Sequence, residues 1–168
     1  MSESKAPHRK VAPGEVFSDP VMLLAFGFGT GLAPKAPGTA GTVVGIPFAI
    51  LLSRLPLVQE WIAIAIMSIA GIFICGYAAK KLGVHDHGGI VWDEVVGYVI
   101  TVAFVPDSWL WLVLGFAFFR LFDIVKPWPI RELDHSISGG LGIMLDDVVA
   151  AIFAALCLAA LTWGATFV

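Results

Sequence analysis

Five acidic side chains lie directly beside apolar segments of this 168-residue chain. They are Asp93 and Glu94 in VWDEVVGY, Asp123 in FRLFDIVKPWPI, and Asp146 and Asp147 in GIMLDDVVAA. A carboxylate next to lipid-length apolar helices is costly, and it usually serves chemistry or ion movement. Carboxylate oxygens suit Mg²⁺ or Mn²⁺, whereas zinc prefers His and Cys. The three strings therefore predict a divalent-cation site at the mouth of a helix bundle.

Each acidic string also has a simpler structural explanation. Acids in the first turn of a helix are favoured by the helix dipole, and this alone would explain any one of the strings. Five acids in three strings make coincidence a weaker explanation than a shared ion. Just upstream of Asp93, the group His85-Asp86-His87 lies between glycine-containing segments, and a solvated turn explains it better than a metal cluster does.

A glycine-rich segment, Gly27–Thr42, precedes the acids and reads GFGTGLAPKAPGTAGT. Glycines let backbone N–H groups approach an anion, and a helix N-terminus favours negative charge. Lys35 would add a point charge for a phosphate, and Thr39 or Thr42 is predicted to cap a helix that starts near Val43. The alternative is a turn in which small residues allow close helix packing, and composition does not decide between the two.

Basic residues surround Asp123 in the third string. Arg120, Lys126 and Arg131 would neutralise phosphate oxygens. They would equally suit a juxtamembrane patch that holds anionic headgroups. The two interpretations agree if the substrate is an anionic lipid.

The elements that must position these residues are apolar helices. Hydrophobic residues make up 58% of the chain, above the roughly 45–50% of soluble proteins. Trp61–Ala79 and Val148–Val168 are long enough to span a bilayer, and Val43–Leu52 is a shorter apolar helix. Val95–Phe119 is interrupted at Pro106-Asp107, which predicts two half-length helices of about 16 Å each that dip in and return. The alternative is one full span with a proline kink.

The predicted fold class is all-α, a small helical membrane bundle with spanning helices plus shorter re-entrant or interfacial helices. Residues 1–19 are predicted to be a disordered cytoplasmic tail, and residues 20–168 a single membrane domain. With the N-terminus inside, nine of the ten Lys and Arg residues face the cytoplasm and only Arg54 lies outside, as the positive-inside rule favours. Trp61, Trp109, Trp111 and Trp163 would then form an outer aromatic belt, and all five carboxylates would meet at the inner face.

Several function classes lack their sequence features. No basic tract indicates nucleic-acid binding. A Cys-x5-Arg loop, an Asp-x-Asp nucleophile motif and a Gly-x-Ser-x-Gly elbow are all missing, so covalent catalysis is poorly supported. Metal-activated water is the simpler mechanism.

Four strings together identify a family. GTGLAPKAPGTAGT, VWDEVVGY, FRLFDIVKPWPI and GIMLDDVVA occur in this order, and the chain from about Phe26 to Ala151 closely resembles the phosphatidylglycerophosphatase A family. The resemblance implies an all-helical, Mg²⁺-dependent lipid phosphatase of the bacterial inner membrane. Such an enzyme would hydrolyse the anionic phospholipid phosphatidylglycerophosphate to phosphatidylglycerol and phosphate.

The predicted roles follow from this combination. The acids are expected to hold Mg²⁺ at the cytoplasmic interface, with one of them as general base: Asp93, Glu94, Asp123, Asp146 and Asp147. Substrate binding is assigned to Lys35, Arg120 and Lys126 for phosphoryl charge, and to Thr30 and Thr39 for hydrogen bonds. A CDP-alcohol phosphatidyltransferase, an ion-coupled transporter and a structural membrane subunit remain as alternatives. The first lacks its Asp-Gly-x2-Ala-Arg run here, and a transporter typically places its acids near the bilayer midplane.

Overall fold

The computed structural model describes residues 10–84, 87–128, 130, 132 and 137–165. These residues form helices and no strands, which confirms the all-α prediction. A 3₁₀ segment covers Gly27–Leu32. The α-helices whose bounds are described are α1 (Pro13–Phe17), α2 (Pro20–Ala25), α3 (Pro37–Leu52), α4 (Leu57–Leu82), α5 (Trp92–Val102), α6 (Trp109–Val125) and α7 (Gly140–Ala165).

Two helices, α4 and α7, are long and apolar enough to cross a membrane. Helix α4 covers the predicted spanning segment Trp61–Ala79 and extends beyond it at both ends. Helix α7 begins at Gly140, so the predicted start at Val148 is wrong. The reason lies in its packing against α4: a Cβ on Gly140 would lie 1.8 Å from the carbonyl oxygen of Ile72, so only glycine allows this approach. Asp146 and Asp147 therefore lie inside the helix, about two turns from its start.

The predicted break at Pro106-Asp107 is confirmed, since α5 ends at Val102 and α6 begins at Trp109. The two helices pack antiparallel, and the Tyr98 hydroxyl donates to the Leu112 carbonyl at 3.0 Å. Helix α5 has 11 residues and is about 16 Å long, as predicted. Helix α6 has 17 residues and is about 26 Å long, so the half-length prediction is wrong for α6. Its apolar sequence continues without a helix breaker until Pro127.

Helix α3 begins at Pro37, and the predicted start near Val43 is wrong. Proline suits the first turn of a helix, where its missing N–H has no partner to lose. The capping prediction is also wrong, because no side chain caps α3 and the Thr42 hydroxyl donates to the Gly38 carbonyl at 2.9 Å. Beyond this first turn, Gly41 packs against Val91, and the glycines of α3 let it lie close to α5.

The prediction of a disordered tail over residues 1–19 is wrong for residues 13–19. Helix α1 buries Val16 completely, and Asp19 caps α2 by accepting from the Val21 N–H at 2.8 Å. Asp19 also accepts from Lys81 at 2.5 Å and from the Tyr77 hydroxyl at 2.8 Å, both near the end of α4. These two partners, Lys81 above all, hold the pKa of Asp19 well below its usual value. Residues 1–9 lie outside the described residues.

The bundle has two chemically different ends. Helices α3, α5 and α7 begin at one end, which we call the polar end, and α4 and α6 finish there. The described cations at the polar end are Lys10, Lys35, Lys80, Lys81, Arg120 and Lys126. The opposite end, which we call the tryptophan end, contains Arg54 together with Trp61, Trp109, Trp111 and Trp163. This separation is the one that the sequence predicted for the two sides of a membrane.

Candidate active site

Three carboxylates from two helices meet at the polar end. Asp93 and Glu94 lie in the first turn of α5, and Asp147 projects from α7, which packs beside it. One carboxylate oxygen of each residue lies within 4.8 Å of the others. Asp93 is only 9% exposed and Asp147 only 2% exposed. Asp147 lies about two turns from the start of α7, which weakens the helix-dipole explanation, because that effect falls off within the first turn.

The end of α6 brings a cation and a fourth carboxylate to this group. Arg120 donates to Asp123, which lies one turn later on the same helix, and its guanidinium is 3.7 Å from Glu94. A negative charge on Asp123 would repel a negative charge on Asp147. The antiparallel packing of α6 on α5 causes this meeting, since it places the C-terminal turns of α6 beside the first turn of α5.

A second ion pair links the fifth predicted acid to the site. Lys126 ends α6 in a left-handed conformation with φ of 43°. Its ammonium group donates to Asp146 at 2.5 Å. Asp146 is buried and directly precedes Asp147 on α7. The Lys126–Asp146 ion pair therefore lies next to the three carboxylates.

Four buried carboxylate oxygens in the site accept no hydrogen bond from the described residues. They are Oδ1 of Asp93, Oε2 of Glu94, Oδ2 of Asp147 and Oδ1 of Asp146, whose other oxygen accepts from Lys126. An unpaired buried polar atom is costly, and a buried charge needs a partner or a metal. Carboxylate oxygens in this number and spacing are the donors that Mg²⁺ or Mn²⁺ takes. These residues therefore fit a divalent cation of that class.

The protonation of the α5 carboxylates agrees with this fit. Glu94 lies at the start of α5, outside the two spanning helices, and burial raises its pKa to about 7. Burial and the neighbouring charge of Glu94 raise the pKa of Asp93 well above its usual value. In the protein alone, the pocket disfavours two adjacent negative charges, and a bound cation would reverse that preference.

The N-terminus of α3 closes the site from another side. A Cβ added to Gly38 would lie 2.1 Å from Oε1 of Glu94 and 3.1 Å from Nη1 of Arg120. A larger residue would displace the Glu94 carboxylate or α3, so Gly38 lets the first turn of α3 place its N-terminal dipole beside the carboxylates and Arg120. Sequence reasoning missed Gly38. The available signal was a glycine directly after Pro37, at the start of a helix.

The remaining predicted residues lie at different distances from this centre. Thr39 follows Gly38 in the first turn of α3. The Thr30 hydroxyl donates to the Gly27 carbonyl at 2.8 Å and so contributes to the 3₁₀ segment. Lys35 is exposed on the turn before α3. His87 accepts from the Gly89 N–H at 3.0 Å, which fits the predicted turn, whereas Arg131, His85 and Asp86 lie outside the described residues.

Comparison with known proteins identifies the family. The family model of phosphatidylglycerophosphatase A matches residues 23–162. A phosphatidylglycerophosphatase A of Escherichia coli K12 is 45% identical, covering 88% of this chain and 87% of its own. The Haemophilus influenzae Rd protein of the same name is 47% identical, covering 86% and 90%. A Bacteroides thetaiotaomicron protein with the provisional name phosphatidylinositol-3-phosphatase is 38% identical, covering 84% and 93%. No solved structure matches the chain.

These matches confirm the family resemblance of the four sequence strings, and they cover all four of them. They favour a phosphatase over the transferase, transporter and structural alternatives. The two apolar helices α4 and α7 agree with a bacterial membrane protein. The chain belongs to the phosphatidylglycerophosphatase A family and is a phosphatase.

Proposed function

We propose that this protein removes the terminal phosphate of phosphatidylglycerophosphate, with Mg²⁺ held by Asp93, Glu94 and Asp147. The products would be phosphatidylglycerol and inorganic phosphate. The observation that carries the proposal is the meeting of these three carboxylates, which have unpartnered buried oxygens beside Arg120. The names of the E. coli and H. influenzae relatives supply the substrate.

The carboxylates have two kinds of role in this proposal. Asp93, Glu94 and Asp147 would hold the ion, which supplies Lewis-acid polarisation of a phosphate oxygen and a more acidic bound water. Asp123 and Asp146 were predicted as ligands too. They lie outside the group of three converging oxygens, and their ion pairs with Arg120 and Lys126 support a positioning role in which they fix the two cations next to the ion.

The cations and the start of α3 would bind the phosphate. Arg120 and Lys126 balance charge on the phosphoryl oxygens, and the backbone N–H groups at Gly38 and Thr39 add donors at a helix N-terminus. In hydrolysis, the water oxygen forms the new bond to phosphorus while a carboxylate accepts one of its protons. The ester P–O bond breaks, and the carboxylic acid returns that proton to the leaving oxygen, which departs as the alcohol of the glycerol headgroup.

The polar end would face the cytoplasm in the bacterial inner membrane. Six described Lys and Arg residues lie at this end, while Arg54 lies at the tryptophan end. Positively charged residues near the ends of spanning helices favour the cytoplasmic side, and tryptophans favour the membrane–water interface. The headgroup would therefore meet the carboxylates from the inner leaflet, while the acyl chains stay in the bilayer.

A related lipid monoester is the second candidate substrate. The B. thetaiotaomicron relative carries a phosphatidylinositol-3-phosphatase name, and it is 38% identical to this chain. The 45–47% identity to the two phosphatidylglycerophosphatases favours the glycerol headgroup. Offering both lipids to the same preparation decides between them through their kcat/KM values.

The test is phosphate release by purified protein in detergent. Wild-type protein is expected to release phosphate from phosphatidylglycerophosphate with Mg²⁺ and to stop in EDTA. Asp93→Asn and Asp147→Asn are expected to lose the activity while remaining monodisperse. Asp107→Asn is the matched control, because Asp107 is an exposed acid at the tryptophan end. Full activity in EDTA would refute the metal role, and full activity of Asp147→Asn would refute the ligand assignment.

A further inference from the structure

An apolar groove runs along the outside of the bundle between α3 and α6. Both helices pack against α5, and the seam between them encloses about 210 Å³. The groove is lined entirely by apolar side chains, two from α3 and four from α6: Val43, Ile46, Trp109, Leu112, Val113 and Phe116. Val43 and Val113 are each 51% exposed, so both walls are open to the surroundings of the bundle.

The groove leads into the candidate active site. Residues three or four apart share a helix face, so the α6 wall continues from Phe116 to Arg120. On α3, the same spacing continues from Val43 back to Thr39, next to Gly38. A Cβ on Gly38 would meet both Glu94 and Arg120, so the two walls converge on the polar residues. An occupant of the groove would therefore have an apolar part along the helices and an anionic part at Arg120.

The length of the groove selects the kind of occupant. The α6 side chains that line the groove run from Trp109 to Phe116, or about 10 Å of helix, and Arg120 lies one turn further, about 16 Å from Trp109. One leaflet is half of the roughly 30 Å hydrocarbon core, or about 15 Å. The distance from the far end of the groove to Arg120 therefore matches the depth of one leaflet, and Arg120 lies where a phospholipid headgroup would lie.

We propose that the α3–α6 groove binds one acyl chain of the phospholipid substrate, so that the lipid enters sideways from the bilayer between α3 and α6. The chain lies along Val43 and Val113 while the terminal phosphate reaches Arg120 and the carboxylates. This inference rests on the proposed lipid phosphatase activity and adds a binding site to it. The groove makes the enzyme favour substrates with long acyl chains over short-chain esters with the same headgroup.

The experiment fills the groove from either wall. Val43→Trp and Val113→Trp are assayed for phosphate release from phosphatidylglycerophosphate with either oleoyl or hexanoyl chains. The matched control is Ile66→Trp, at a position on α4 that is 62% exposed and lies outside the groove. Both groove variants are expected to raise the KM for the oleoyl substrate at least about tenfold, because several buried methylenes lose their site. The hexanoyl substrate serves as the internal test of folding and of the catalytic centre.

The outcomes separate the groove from the activity on which it rests. Long-chain turnover that weakens in both groove variants, with unchanged hexanoyl turnover and an unchanged Ile66→Trp control, supports the proposal. Equal losses for both chain lengths, or no loss in either variant, overturn the groove while leaving the phosphatase intact. Wild-type protein that releases phosphate from neither lipid overturns the proposed function, and the groove assignment with it.

Discussion

Both ends of the α5–α6 hairpin contain acidic side chains, but the acids differ in burial and in hydrogen-bond partners. At the polar end, Asp93 and Glu94 are enclosed, and each has a buried oxygen without a described partner. At the tryptophan end, Asp107 is exposed, accepts from the Ser53 hydroxyl at 3.3 Å and lies 3.8 Å from Arg54. Solvent and neighbours satisfy Asp107, whereas the polar-end acids retain unused ligand atoms. An acid next to an apolar helix therefore indicates a site only when its burial and its partners are considered together.

Replacing a buried acid should have the largest effect. Asp147→Asn keeps the size of the side chain but removes one ligand charge, and a loss of kcat on the order of 10³-fold is expected. Asp107→Asn, the same change at the other end, should stay within about twofold, as surface changes usually do. Steady-state phosphate release measures both. Equal losses in the two variants would remove the distinction between the ends.

The close approach of α3 provides the next largest effect. In Gly38→Ala, the new methyl group would meet Oε1 of Glu94 at 2.1 Å, so α3 or the carboxylate must move. A displacement of about 1 Å at a catalytic group can cost on the order of 10²-fold in rate. Gly14→Ala is the control, because a Cβ there has no neighbour within 4 Å. Normal turnover by Gly38→Ala would contradict the placement of α3 in the site.

The cation at the end of α6 is expected to matter less. Lys126→Met keeps the length of the side chain and loses the ion pair with Asp146. Weaker phosphate binding predicts a KM raised about tenfold, close to the energy of one charge-assisted hydrogen bond. Lys80→Met removes an exposed cation from the same end and should leave KM unchanged. A matching rise in both variants would point to general electrostatic attraction of the anionic lipid.

The smallest effect is expected at the tryptophan end. The side chains of Arg54 and Asp107 are 72% and 44% exposed, and exposed pairs contribute about 0–1 kcal/mol. Arg54→Ala should therefore lower the free energy of unfolding by less than about 1 kcal/mol and leave phosphate release intact. Denaturant unfolding in detergent, with the activity assay beside it, measures both. A large loss of activity would mean that this end also takes part in catalysis.

The sequence predicted the chemistry of the site better than its geometry. The acidic strings and the break at Pro106 were visible because charge and proline interrupt apolar runs. The starts of α3 and α7 were missed because Gly38, Gly41 and Gly140 looked like loop residues. Their role is to allow close helix contact, which depends on a neighbouring helix that a local pattern does not contain.

The distribution of roles also depended on tertiary contacts. Asp123 and Asp146 resemble the other acids in sequence, but the fold leaves them outside the group of three converging oxygens and pairs them with Arg120 and Lys126. Thr30 and Lys35 have the right types for phosphate binding. The fold directs the Thr30 hydroxyl to the Gly27 carbonyl and leaves Lys35 exposed. Residue type indicates what a side chain can do, and packing decides which side chains meet in the site.

The central claim is that the three buried carboxylates bind a divalent cation. Calorimetric titration of the detergent-purified protein with Mn²⁺ as a Mg²⁺ substitute tests it without any substrate. Wild-type protein and Asp107→Asn should bind the ion equally well, and Asp93→Asn should bind it at least about tenfold more weakly. If Asp93→Asn binds Mn²⁺ as tightly as the wild type does, the ion is held elsewhere and the proposed metal centre is wrong.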